Sequence, residues 1–124
     1  MAKKKTSRGR PLLRTRLRIT KGSDIAFGPG KAELLEALQQ TGAITKAAAQ
    51  MRMSYMRAWT LIRTMNRCFR EPLVVAIRGG TQGGGGARLT DLGRQVLALY
   101  QRMDRKCLGA VTTDWRKFQK LLRG

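Results

Sequence analysis

Thr45-Lys46-Ala47-Ala48-Ala49-Gln50-Met51-Arg52-Met53-Ser54-Tyr55-Met56-Arg57-Ala58-Trp59-Thr60 is the stretch whose reading decides the fold. Thr45 is a helix-capping residue type, and the run from Lys46 to Met51 favours a short helix. Arg52-Met53 make a turn. Ser54 then caps a second helix running to about Cys68. Within that second helix Ala58, Leu61, Ile62 and Met65 recur at helical spacing and face a core, while Tyr55, Arg57, Thr60, Thr64 and Arg67 point largely elsewhere.

Upstream, Leu13, Thr15, Leu17 and Ile19 alternate with Arg14, Arg16 and Arg18, so Leu12–Ile19 reads as a half-buried strand with a cationic outer face. That face meets either a polyanion or solvent. Lys21-Gly22-Ser23-Asp24 is a turn signal, with Ile25-Ala26-Phe27 returning. Gly28-Pro29-Gly30 precedes a helix from about Lys31 to Thr41, whose stripe is Leu34, Leu35 and Leu38 with Ala32 and Ala37; Gly42 stops it. Downstream, Leu73–Ile77 and Ala87–Leu89 read as strands joined by the glycine-rich run 78–86. Thr90 caps a last helix carrying Leu92, Val96, Leu99, Tyr100, Met103 and Cys107. Leu108, Val111, Trp115, Phe118 and Leu122 continue nearly in phase, with Gly109 as a bend or break. The expected fold is mainly α with a small β component: a winged helix-turn-helix with an N-terminal β-hairpin and a long C-terminal helix. The expected organisation is a basic disordered tail over 1–11, the winged domain over 12–105 and a helical extension over 106–124.

Charge narrows the partner. There are 26 Lys and Arg against 7 Asp and Glu, for a net charge of +19. Residues 1–23 hold nine of the bases and no acid, yet the remainder is still +10, so the tail alone does not explain the excess. Such a chain repels itself unless a polyanion neutralises it, and nucleic acid is the leading candidate over an acidic membrane surface or an acidic protein. No apolar run approaches the ~20 residues of a membrane span, and the start lacks the apolar stretch of a secretory signal. A cytoplasmic, nucleoid-associated location is expected. Cys68 and Cys107 have no histidine near them, and the chain contains none; buried free thiols are expected rather than a metal site or a disulfide. Without histidine, and with its acids scattered, the chain offers no nucleophile beside a base, and no enzyme is expected. No cofactor is called for.

The helix-turn-helix carries the candidate contacts to duplex DNA. The first turn of a reading helix enters the major groove most directly, which singles out Ser54, Tyr55, Met56 and Arg57, with Thr60 and Arg63 further along. Arg57 suits a bidentate contact to guanine or a phosphate contact. Met56 suits a thymine methyl or packing, and Ser54 is a cap whose hydroxyl also suits a phosphate. Trp59 is expected to pack against the first or last helix. Lys46, at the start of the supporting helix, suits a phosphate. The glycine run lacks the Gly-Lys-Ser/Thr ending of a phosphate-binding loop, so it reads as a wing tip: Gly83 and Gly84 let the backbone approach a duplex, and Arg78 and Arg88 flank it. The terminal helix, with Trp115 and Phe118, has too much apolar surface for a solvated arm; it folds back or pairs with a second copy, and a homodimer is expected.

Several stretches resemble the DNA-binding domain of ModE-type molybdate-dependent regulators. These are Gly28-Pro29-Gly30-Lys31-x-x-Leu34-Leu35-Glu36, Thr41-Gly42-Ala43-Ile44-Thr45-x-Ala47-Ala48, Met53-Ser54-Tyr55-x-x-Ala58-Trp59 and Met65-Asn66. Most specific is Arg78-Gly79-Gly80-x-x-Gly83-Gly84-Gly85-Gly86-Ala87-x-Leu89-Thr90-x-x-Gly93. The resemblance runs from about Leu12 to Arg105 and, more distantly, extends to the helix-turn-helix of LysR-type regulators. It implies a dimeric, sequence-specific transcriptional regulator in which Trp59 helps to build the domain. Full-length members carry C-terminal molybdate-binding domains, and this chain ends at Gly124. The expectation is therefore a stand-alone DNA-binding domain with no small-molecule ligand evident. A low-specificity architectural DNA-binding protein and an oxyanion-responsive regulator are the competing readings.

Overall fold

The structure is a computed structural model describing residues 9–77 and 86–124. By internal contacts they fall into two compact units, Arg16–Gln101 and a second made of the residues up to Thr15 with Arg102–Gly124. Among the described residues nine elements follow in order: β1 (Ile19–Lys21), β2 (Asp24–Phe27), α1 (Pro29–Thr41), α2 (Ile44–Gln50), α3 (Tyr55–Cys68), β3 (Val74–Ile77), β4 (Gly86–Leu89), α4 (Asp91–Ala110) and α5 (Thr112–Leu121). The described chain is thus mainly helical, with two small antiparallel sheets, β1–β2 and β3–β4.

The expected strand over Leu12–Ile19 shrinks to Ile19–Lys21. Only Ile19, Thr20 and Lys21 find partners on β2, because Asp24–Phe27 is four residues long and the register already shifts between Ile19 and Thr20. The alternation upstream still has consequences, since Thr15 and Leu17 are half-buried and the arginines between and beyond them are exposed. Gly22 holds φ at 62°, while Ser23 does not have positive φ, the signature of a two-residue hairpin that needs glycine first.

Helix α1 begins two residues earlier than the sequence suggests. Gly28 is extended, and Pro29 stands where its fixed φ suits the first helical position and its missing N–H costs nothing. Gly42 closes the helix in the left-handed region, its N–H donating to the Leu38 carbonyl at 2.8 Å. The stripe Ala32, Leu34, Leu35, Ala37 and Leu38 is buried as expected. Helix α2 starts at Ile44, with Ala43 in the capping position and no side-chain cap, so Thr45 lies inside the helix and does not cap it. Ala47 and Ala48 are both buried and, being small, let α2 lie close against the core.

The core gathers α1, α2 and α3 under the β3–β4 hairpin and α4. Phe27 is its aromatic centre, edge-on to Tyr100 with centroids 5.0 Å apart and to Phe69 at 6.3 Å. The Tyr100 hydroxyl donates to the Leu17 carbonyl at 2.8 Å, satisfying the polar end of a buried ring. Thr90 caps α4: its hydroxyl accepts from Gly93 N–H at 3.0 Å and donates to the Pro72 carbonyl. At Gly93 a Cβ would stand 2.2 Å from the Leu73 carbonyl oxygen, so only glycine lets α4 pass the start of β3.

The terminal helix, expected to bend or break at Gly109, breaks two residues later at Val111, and α5 restarts at Thr112. Helix α5 buries no residue: Phe118 is 56% and Leu121 82% exposed, with the Trp115 and Phe118 rings stacked at 6.1 Å. Cys68 and Cys107 are free thiols, half-buried rather than buried. No described helix is long and apolar enough to cross a membrane.

Candidate nucleic-acid interface

Between α2 and α3 the chain reverses within four residues. Met53 N–H donates to the Ala48 carbonyl at 3.0 Å, and Arg52 takes a left-handed φ of 58°, a conformation costing a side-chain-bearing residue about 1–2 kcal/mol. Ser54 then caps α3 as the sequence requires: its Oγ accepts from Arg57 N–H at 3.0 Å. The cap places Tyr55, Met56 and Arg57 in the first helical turn, all exposed, Met56 to 64%. One residue on, Ala58 is completely buried, and Ile62 and Met65 follow it inward. The helix is therefore anchored by one face and open on the other.

Thr60 lies one turn beyond, but its hydroxyl donates back to the Met56 carbonyl at 2.8 Å, and Thr64 repeats the pattern on Thr60. In this rotamer Thr60 offers outward only a methyl group and acceptor lone pairs. Trp59 departs from expectation. It is 36% exposed, and the Arg63 guanidinium lies over its ring at 4.7 Å from the centroid. Spacing of four residues on one helix brings ring and cation together, so Arg63 is held along the helix surface by a cation–π contact.

Lys46 is exposed in the first turn of α2, and Arg88 is exposed on β4 opposite Val75. Arg78, Gly83 and Gly84, and with them the expected wing tip, lie outside the described residues. Both strands feeding that segment are firmly placed. Asn66, near the end of α3, acts like an extra strand residue: its Oδ1 accepts from the N–H of Leu73 and of Val74, at 2.8 and 3.2 Å, and its Nδ2 donates to the Val74 carbonyl. On the other strand, Ala87 N–H donates to the Gly42 carbonyl at 2.9 Å. The hairpin is thus tied to α3 at one end and to the turn after α1 at the other. Sequence reading singles out Asn66 only as part of a motif; a lone amide inside an amphipathic pattern is the signal that could have found its role.

Sequence reading also leaves Lys31 unassigned, and treats Arg16 and Arg18 only as an outer face. All three line a surface hollow of about 270 Å³ between β2, the start of α1 and the start of α3, with Arg57, Met53 and Leu61. Lys31 is only 9% exposed; its ammonium donates to the Ile25 carbonyl at 2.8 Å, and burial lowers its pKa, with Arg57 nearby pushing the same way and Asp24 and Cys68 against. Asp24 also meets Arg67 at 3.4 Å, tying the β1–β2 hairpin to the end of α3.

No family model matches the chain. It is similar to the "Molybdenum transport protein ModE" of Azotobacter vinelandii, 44% identical over 79 residues, which is 64% of this chain and 29% of that protein. It is 41% identical over 85 residues to the "Molybdenum-pterin-binding protein MopA" of Rhodobacter capsulatus, covering 68% of this chain and 30% of the relative. It is 38% identical over 72 residues to the "DNA-binding transcriptional dual regulator ModE" of Escherichia coli K12, covering 58% and 27%. The chain spans less than a third of the length of these curated relatives, among which are transcriptional regulators and molybdenum-binding proteins.

Proposed function

We propose that this chain is a sequence-specific, double-stranded DNA-binding transcriptional regulator of winged helix-turn-helix form. In this reading α2 and α3 are the helix-turn-helix, β3 and β4 are the stem of the wing, and 78–88 is the glycine-rich wing. The observation that carries it is the division of α3. Its capped first turn presents Tyr55, Met56 and Arg57 to the exterior while Ala58, Ile62 and Met65 hold the helix to the core. A fixed helix start with exposed, chemically varied side chains is what reading base edges in the major groove requires. Lys46, Arg78, Arg88 and the basic N-terminal segment supply phosphate contacts, which give affinity without sequence information. Ser54 and Arg63 border the reading turn, Thr60 extends it, and Gly83 and Gly84 let the wing approach the duplex. The exposed apolar face of α5 is the surface through which two copies pair on a partly palindromic site.

Selection from a randomised duplex library tests the reading. An enriched motif is expected, with Tyr55→Ala or Met56→Ala altering the preference at one or two positions of it. A specific-to-random affinity ratio near one at ~150 mM salt overturns it in favour of a low-specificity architectural protein, the reading that the net charge of +19 favours. The names of the molybdenum-binding relatives favour a third arm: molybdate changing DNA affinity identifies an oxyanion-responsive regulator.

A further inference from the structure

We infer that the hollow lined by Arg16, Arg18 and Arg57 is a binding site for a tetrahedral, phosphate-type oxyanion, and that Arg57 serves it rather than a base edge. Its duplex arm rests on the DNA-binding reading above; its inorganic arm does not.

Two segments some forty residues apart contribute three arginines, Arg16 and Arg18 from one and Arg57 from the other, to the lining of one concavity. No carboxylate lines it among the described residues. Nor does any of the three guanidinium groups have a hydrogen-bond acceptor or ion-pair partner there, whereas Arg67 and Arg94 each do. Convergent like charge without a counter-ion is unfavourable, and guanidinium forks match phosphate oxygens in geometry and charge. Lys31 adds a fourth cation at the wall, buried, with one of its three N–H donors given to Ile25. Burial disfavours its charge, so an anion beside it gains where solvent screens least.

The floor is shaped for the same ligand. Pro29 has no N–H, while the N–H groups of Gly30 and Lys31 in the first turn of α1 have no backbone acceptor among the described residues. A Cβ built on Gly30 meets nothing within 4 Å, so a side chain can be placed there without a clash. A volume of about 270 Å³ exceeds what one oxyanion needs and leaves room for the sugar atoms of a phosphodiester. Ile25, Met53 and Leu61 complete the lining with apolar side chains.

Two sources share this chemistry: a backbone phosphate of the duplex and free inorganic phosphate. The full chain is tested with both probes. Arg16→Gln, Arg18→Gln and Arg57→Gln are expected each to weaken binding to the selected duplex and to a random duplex by the same factor, and to lower the salt slope by about one for each guanidinium removed. Gly30→Asp is the structural control, since a carboxylate in the first turn of a helix favours the fold yet repels an anion from the hollow. It is expected to melt no lower than wild type and to bind both probes more weakly. Calorimetric titration with inorganic phosphate alone gives saturable binding that Gly30→Asp abolishes; binding of phosphate with unchanged duplex affinity in the variants assigns the site to the free ion. The inference is overturned if Arg57→Gln weakens only the selected duplex, or if the variants change neither duplex affinity nor phosphate binding. A wild-type chain that binds no duplex defeats the DNA-binding reading, and the phosphate titration still decides the hollow.

Discussion

Around Leu73 the backbone is packed so closely that a glycine, an amide and a hydroxyl are each tied to one place. Gly93 passes the Leu73 carbonyl, Asn66 takes the N–H groups of Leu73 and Val74, and Thr90 bonds the carbonyls of Pro72 and Leu73. Along the outer face of α3, by contrast, Tyr55, Met56 and Arg57 are exposed, and their side chains make no hydrogen bond or ion pair among the described residues. The seam around Leu73 holds the β3–β4 hairpin at a fixed attitude to α3. The open face leaves its residues available for something outside the chain. Changes in the first region should therefore move stability, and changes in the second should move binding.

The sharpest way to break this division is Gly93→Ala. With no space between helix and strand, α4 or β3 must shift, and a loss of about 3 kcal/mol or more is expected in denaturant unfolding. Asn66→Ala leaves three backbone groups at the start of β3 without their side-chain partner and should cost roughly 1–3 kcal/mol. Asn66→Asp, which keeps the acceptor for Leu73 and Val74, should recover part of that loss; no recovery would mean that the amide packs rather than bonds. Ser54→Ala stands at the junction of the two regions. Removing the cap should cost about 1 kcal/mol, measured by thermal melting, and weaken DNA binding through a frayed first turn. Met56→Ala belongs wholly to the open face: stability should stay within about 0.5 kcal/mol while the selected DNA motif changes. A matching loss of stability would show that Met56 is held by the protein after all.

The smallest effect concerns Lys31. Its folded-state pKa lies below its unfolded value, so between the two the unfolded chain binds more protons and stability rises with pH. Wild-type stability should therefore climb, relative to Lys31→Met, as pH approaches the ordinary lysine range from below. Parallel profiles for the two proteins would mean that the Ile25 carbonyl and Asp24 fully offset the burial.

Much of the helical framework is legible in the amino-acid sequence. The 3.6-residue stripes of α1 and α3, the Ser54 and Thr90 caps and the Gly42 stop depend on local rules that act within a few residues, and all are present. The failures share a cause as well. The alternation of Leu12–Ile19 predicts a strand, but a strand needs a partner, and β2 is too short to pair beyond Ile19. Thr45 has the right side chain for a cap, yet the helix begins one residue before it. Trp59 is expected to pack against the first or last helix but is 36% exposed beneath Arg63, because it lies one residue off the inward face formed by Ala58, Ile62 and Met65.

By itself the sequence determined the Ser54 and Thr90 caps, the Gly42 stop, the inward faces of α1 and α3, and the cationic excess that points to a polyanion; on α4 it missed the buried Leu97 and turned the exposed Leu99 and Met103 inward. The properties it determined arise from neighbouring residues and from summed charge, neither of which needs a third dimension. Only the tertiary structure decided that Gly93 must be glycine, that Asn66 holds a strand, and that Arg16, Arg18, Lys31 and Arg57 line one hollow. These depend on distances between segments far apart in the chain, which no local pattern encodes.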